Sequence, residues 1–146
     1  MKKDYEILLS RAKYKVIQSI ELVEASLDEI TEFKPEKKYT PKELEPYDAL
    51  SDRFIRAVET CIKFFKTYEY YLFTISSDTY RDMLLKMEKL NIISSVEIWI
   101  DMRDIRNRIV HDYLPQQLKD IFDTISNEFS KELAKVKKTA DNLSIK

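Results

Sequence analysis

The stretch that decides the fold is residues 47–75, YDALSDRFIRAVETCIKFFKTYEYYLFTI. Its apolar residues fall at Leu50, Phe54, Ala57, Cys61, Phe64, Tyr68, Tyr71 and Ile75, in unbroken steps of four and three. That spacing returns to one side of an α-helix and does not alternate as a half-buried strand must. A helix is therefore expected from about Tyr47 to Ile75. Core packing explains its Phe and Tyr density, because helical spacing needs no ligand to account for the rings.

Working outward from this helix, the same period appears on both sides. Toward the N-terminus, Leu9, Val16, Ile20, Val23, Leu27 and Ile30 predict a long amphipathic helix from Asp4 to Phe33. Pro35, Pro41 and Pro46 separate the two, and proline both lacks an amide donor and restricts its predecessor. Residues 34–46 therefore read as a proline-rich loop with room for one short turn after Thr40. Toward the C-terminus, Ser76, Ser77 and Asp78 supply a break and cap candidates for a short helix from Thr79 to about Leu90. Ser94 or Ser95 can cap a fourth helix to about Tyr113, closed by Pro115. A fifth is expected from Gln116 on Leu118, Ile121, Ile125, Phe129 and Val136, with a Lys-rich end fraying after Lys131 and a loose tail at 139–146. The expectation is one all-α domain over residues 1–146, an up-and-down bundle of four long helices plus one short helix.

Composition narrows the function. The 146 residues contain no glycine, where average usage would give roughly ten. A Walker P-loop, a dinucleotide-binding turn and a glycine-bearing nucleophile elbow are excluded, since each needs backbone that only glycine allows. With 25 Lys and Arg against 26 Asp and Glu, the net charge of −1 provides no global field for nucleic acid or membrane, so any such contact must be local. One Cys and one His cannot build a four-ligand structural zinc site, and Cys61 has no partner for an internal disulfide. No metal and no cofactor are expected. Neither end reads as a targeting peptide and no apolar run reaches the roughly 20 residues of a membrane span, which points to the cytoplasm.

The fourth helix is the odd one. Ile98, Met102, Ile105 and Ile109 form one apolar arc, and Glu97, Asp101, Asp104, Arg108 and Asp112 form a solvated pole. The remaining arc carries Val96, Trp99, Ile100 and Val110 interleaved with Arg103, Arg106, Asn107 and His111. A second apolar face studded with Arg, Asn and His fits a subunit interface or ligand groove, with Trp99, Ile100 and Val110 as its contacts. The alternative is a helix buried on both sides within the monomer. His111 is the only side chain whose unperturbed pKa lies near neutrality, so it is the ready general acid or base, or else a helix-end hydrogen-bonding residue. Asn107 precedes it by one turn, and Arg106 supplies a planar cation suited to a phosphodiester.

Arg106, Asn107, His111 and Tyr113, in the spacing Arg-x4-His-x-Tyr near the end of the penultimate helix, resemble the signature of the HEPN superfamily. The likeness is closest to the HepT toxins and the related nucleotidyltransferase substrate-binding proteins of prokaryotes. Asp48, Leu50, Arg53, Phe54, Phe64, Phe65 and Trp99 resemble the family's pattern, and the likeness covers essentially the whole chain.

The resemblance implies a metal-independent endoribonuclease, working as a homodimer with its motifs facing each other across a two-fold axis. Arg106, Asn107 and His111 would be catalytic. Histidine helps activate the ribose 2′-hydroxyl, arginine stabilises the developing charge, and the products are a 2′,3′-cyclic phosphate and a 5′-hydroxyl. Arg103 and Arg108, with Arg53 and Arg56, would supply the RNA attraction that the overall charge lacks. Tyr113 matches the tyrosine that receives AMP from a partner minimal nucleotidyltransferase, which silences the toxin. The other expectation is a non-catalytic substrate-binding or adaptor subunit of the same nucleotidyltransferase complex.

Overall fold

The computed structural model describes residues 2–111 and 114–144. Helix α1 (Lys2–Glu29) buries Leu9, Val16, Ile20 and Val23, the stripe read from the sequence. It stops at Glu29, short of the expected Phe33. Phe33 is buried beyond the helix end, stacked on Tyr39 at 4.8 Å between ring centroids, with Tyr47 edge-on at 5.4 Å.

Helix α2 (Pro41–Phe73) begins at Pro41 and not at Tyr47, so the loop assigned to residues 34–46 ends at Thr40. The signal is local. Thr40 Oγ1 accepts from the Glu43 amide at 3.2 Å while the Thr40 amide donates to Glu43 Oε1 at 3.0 Å, a reciprocal cap. Pro41, as the first helical residue, has no amide to leave unpaired. Pro46 then sits inside the helix. The carbonyl it leaves without a donor belongs to Lys42 in the exposed first turn, where solvent can reach it.

Helix α2 ends on Thr74 with φ 60°, and Asn91 adopts φ 59° just after the short helix α3 (Tyr80–Lys89). Glycine usually takes such left-handed positions. A chain without glycine fills them with residues that carry a Cβ. Thr79 caps α3, accepting from the Asp82 amide at 3.1 Å, in place of the expected Ser76, Ser77 or Asp78. Helix α4 (Val96–His111) is capped by Ser95, whose Oγ accepts from the Ile98 amide at 3.2 Å.

Helices α5 (Pro115–Thr124) and α6 (Ser130–Asn142) run on as one rod through a π-helical segment, Ile125–Phe129. Buried Ile121, Ile125, Phe129 and Leu133 follow one another in steps of four, which on a regular α-helix drift by about 40° each. One widened turn takes up that drift and keeps them on one face. The Lys-rich end does not fray after Lys131. It is helical to Asn142, with Leu133, Val136 and Ala140 buried, because α6 lies along α1, where Lys137 pairs with Glu24 at 2.7 Å.

The long elements alternate in direction. Tyr5 meets Tyr70 and Arg53 meets Ser26, so α1 and α2 are antiparallel. Phe65 packs edge-on to Trp99 at 4.9 Å, and Glu59 shares a groove with Asn107, so α4 returns along α2. Tyr47 meets Phe122 and Phe54 stacks on Phe129, which sends α5 and α6 back again. This is an all-α up-and-down bundle, with α3 as the short element. Cys61 is fully buried in its core, and burial pushes its thiol well above the ordinary range, so the thiolate chemistry of a reactive cysteine is suppressed.

Candidate functional site

Helix α4 keeps one edge, Met102, Ile105 and Ile109, against the bundle and turns the other outward. Val96, Trp99, Met102 and Ile105 are buried, whereas Arg103, Arg106, Asn107 and His111 are exposed and Val110 is 55% exposed. Trp99, Arg103, Arg106 and Val110 lie on one stripe of the helix. Depth along the axis separates them. Trp99 was expected at a subunit interface, and the structure corrects this: it has no exposed surface, sits against Phe65, and its Nε1–H donates to Glu132 Oε2 at 2.7 Å. The same oxygen accepts from the Ser94 amide at 2.9 Å, so one buried carboxylate of α6 ties down the start of α4. Ile100 is partly buried against the core, leaving Val110 as the exposed apolar member of the expected interface.

The outer half of α4 forms one wall of a groove of about 730 Å³, with Glu59 of α2 and Tyr80 of α3 on the other sides. Arg103, Asp104, Arg106 and Asn107 all line it. Asn107 Nδ2 donates to Asp104 Oδ1 at 3.2 Å, which orients its amide. The Arg103 guanidinium lies over the Tyr80 ring, 4.4 Å from its centroid, and the Tyr80 hydroxyl donates to the Trp99 carbonyl at 3.2 Å. Burial pushes the Tyr80 hydroxyl well above its ordinary range, with Arg103 pulling the other way, so it stays a neutral donor. Neither Tyr80 nor Glu59 could be assigned here from sequence, because both come from elements that only packing brings beside α4.

Arg106 makes no hydrogen bond or ion pair with the described residues, and neither does His111. His111 ends α4 one turn beyond Asn107. Arg106 and His111 leave the helix roughly 140° apart, so one copy does not aim both at the same point. Asn107 is the closer neighbour of His111 in angle. Arg108 is half-buried and leaves the helix about 160° from Arg106.

The structure does not bring Arg53 and Arg56 to this groove. Arg53 turns to α1, donating to the Leu22 carbonyl at 3.2 Å and to Ser26 Oγ at 2.8 Å, and Arg56 pairs with Asp52 at 3.0 Å. Both line a separate hollow between α1 and α2, so their expected place beside the α4 arginines is corrected. Tyr113, the expected acceptor of AMP, lies outside the described residues.

A family model described as nucleotidyltransferase substrate binding protein like matches residues 15–142, from the middle of α1 to the last residue of α6. The chain belongs to this family. In general terms it is the HEPN and HepT-like group that the motif resembles, and the matched region includes the whole of α4. Comparison with curated proteins and with solved structures gave no significant match. No helix among the described residues is long and apolar enough to cross a membrane.

Proposed function

We propose that this protein is a metal-independent endoribonuclease, the toxin half of a pair whose other half is a nucleotidyltransferase. The observation that carries the reading is the solvent-facing end of α4. Buried Val96, Trp99, Met102 and Ile105 anchor the helix, and its last turns present Arg106, Asn107 and His111 on the surface. A histidine and an arginine kept for structure alone would be expected to spend their donors on neighbours. These two do not, among the described residues.

The chemistry follows from the side chains. Neutral His111 takes the proton from a ribose 2′-hydroxyl, and the 2′-oxygen attacks the adjacent phosphorus. The bond from phosphorus to the 5′-oxygen breaks, and an imidazolium or water returns a proton to the leaving oxygen. Arg106 holds the non-bridging oxygens as charge builds on them, its planar fork matching two at once. The ends are a 2′,3′-cyclic phosphate and a 5′-hydroxyl, and only RNA provides the nucleophile. Because Arg106 and His111 diverge on one helix, the site is composite. A second copy across a two-fold axis through Val110 sets the arginine of one chain near the histidine of the other. The partner nucleotidyltransferase silences the enzyme by adding AMP to Tyr113, two residues past His111.

A second reading has its own support. Glu59, Asp101 and Asp104 line the groove against Arg103 and Arg106, so its walls are no more basic than acidic. Together with the family description, this fits a non-catalytic subunit that presents a substrate to the nucleotidyltransferase. RNA cleavage by the purified protein separates the two. Wild type is expected to cut single-stranded RNA in the presence of chelator. His111→Ala should lose 10²–10⁴-fold in rate, and Arg106→Lys should lose activity while staying folded. Absence of cleavage by wild type, or equal cleavage by His111→Ala, would remove the nuclease reading.

A further inference from the structure

The groove beside α4 is a poor holder of RNA by itself, since three carboxylates face its two arginines. The phosphate anchors must lie next to it. Tyr80 and Arg103 line this groove and also a second hollow of about 440 Å³, whose other walls include Lys66 of α2 and Ser76 and Ser77 of the α2–α3 connection. The two hollows therefore adjoin at the stacked Arg103 and Tyr80 pair.

The charges in the second hollow differ from those in the first. Glu69 lines it, but its carboxylate is buried and already matched: the Ser77 amide donates to Oε1 at 2.9 Å, the Ser77 hydroxyl donates to Oε2, and Lys86 pairs with it at 2.9 Å. Lys66 and Arg103 form no ion pair with any described carboxylate, leaving exposed Asp78 as the one acid without an internal partner among the lining residues described. Arg103 is balanced by an aromatic face and not by a carboxylate, so its guanidinium keeps its donors. A planar cation fixed at the junction can receive a phosphate or stack under a base.

We propose that the hollow lined by Lys66, Ser77, Tyr80 and Arg103 is a second nucleotide subsite. A single strand of RNA then runs from Arg106 and Asn107, across Arg103, to Lys66. The inference rests on the nuclease reading for its choice of ligand and deepens it by placing the neighbouring nucleotide.

The test uses the whole protein and a fluorescent single-stranded oligoribonucleotide with every ribose 2′-O-methylated, so that binding is read without cleavage. Lys66 is exposed and Lys66→Ala should fold as wild type. It is expected to weaken binding severalfold at low salt and to lower the slope of log affinity against log salt by about one. Tyr80→Leu, which frees the Arg103 guanidinium, should weaken binding with little change in slope. If Lys66→Ala matches wild type in affinity and slope while Arg106→Ala weakens binding, the subsite is overturned and the nuclease reading stands. If wild type cleaves no RNA yet binds the methylated strand through Lys66, the subsite stands and the nuclease reading falls. No binding by wild type at low salt overturns the subsite.

Discussion

The join between α4 and α6 can be broken at one side chain. Glu132 is 4% exposed, and its Oε2 accepts from Trp99 Nε1 at 2.7 Å and from the Ser94 amide at 2.9 Å. In Glu132→Ala the Trp99 donor, on a residue with no exposed surface, is left without a partner, costing about 1.5–3 kcal/mol for a bond to a charged acceptor. The Ser94 amide belongs to an exposed residue and recovers most of its bond from water, adding about 0.5–1 kcal/mol. Together these give a loss of about 2–4 kcal/mol, or roughly 5–15 °C in Tm for a chain of this length. Glu132→Gln keeps the shape and a carbonyl oxygen that can accept both bonds, so its loss should stay under about 1 kcal/mol. Trp99 is the one tryptophan of the chain, so its emission reports the site directly alongside thermal unfolding by circular dichroism. The alanine variant should shift the emission to the red as water reaches the indole. A Tm within about 2 °C of wild type with unmoved emission, or a glutamine variant as damaged as the alanine one, would refute the reasoning.

Other perturbations have equally definite outcomes. Thr74→Gly should stabilise by about 0.5–1 kcal/mol in urea unfolding, because the relief of a β-branched residue at φ 60° exceeds the added entropy of the unfolded chain; a destabilised variant would show that Thr74 carries contacts worth more than its strain. Glu69 is predicted to steepen the acid limb of stability. Burial raises its carboxyl, but the hydroxyl and amide of Ser77 and the charge of Lys86 outweigh this and hold it below the ordinary glutamate value of 4.5. A lowered folded pKa stabilises above the unfolded value and is lost as pH falls through the folded one. Tm measured from neutral pH down through 4.5 should therefore fall less steeply in Glu69→Gln than in wild type, and parallel curves would contradict the assignment. Val110→Glu places a charge on the exposed apolar end of α4, and sedimentation should show a wild-type dimer reduced to monomer. A wild-type monomer at micromolar concentration would remove the composite site.

Local periodicity made most of the helices readable. Leu50, Phe54, Ala57, Cys61 and Phe64 point the same way on any α-helix they belong to, and all are buried. The start of α2 was obscured by the three prolines, although Thr40, Pro41 and Glu43 form a cap that ordinary helix-start rules recognise. The helical C-terminal end was harder. Lysines between Leu133, Val136 and Ala140 look like solvated tail until α1 offers Glu21 and Glu24 to Lys137.

Backbone geometry determines which residues share a helix face. The sequence by itself therefore placed Arg103, Arg106, Asn107 and Val110 together on the unusual side of α4 and singled out His111 as its one imidazole. It could not decide how deep each turn of that helix lies. Trp99 shares a stripe with Arg106 and Val110, yet it is sealed under Phe65 and Glu132, while the residues about 10 Å further along the axis stand in solvent. Depth depends on how α2, α3 and α6 pack against each turn of α4, and that is set by contacts between residues far apart in the chain. The same contacts bring Glu59, Lys66 and Tyr80 to the groove and carry Arg53 away to α1. The chemistry available to the site was written in one helix, and its walls came from three.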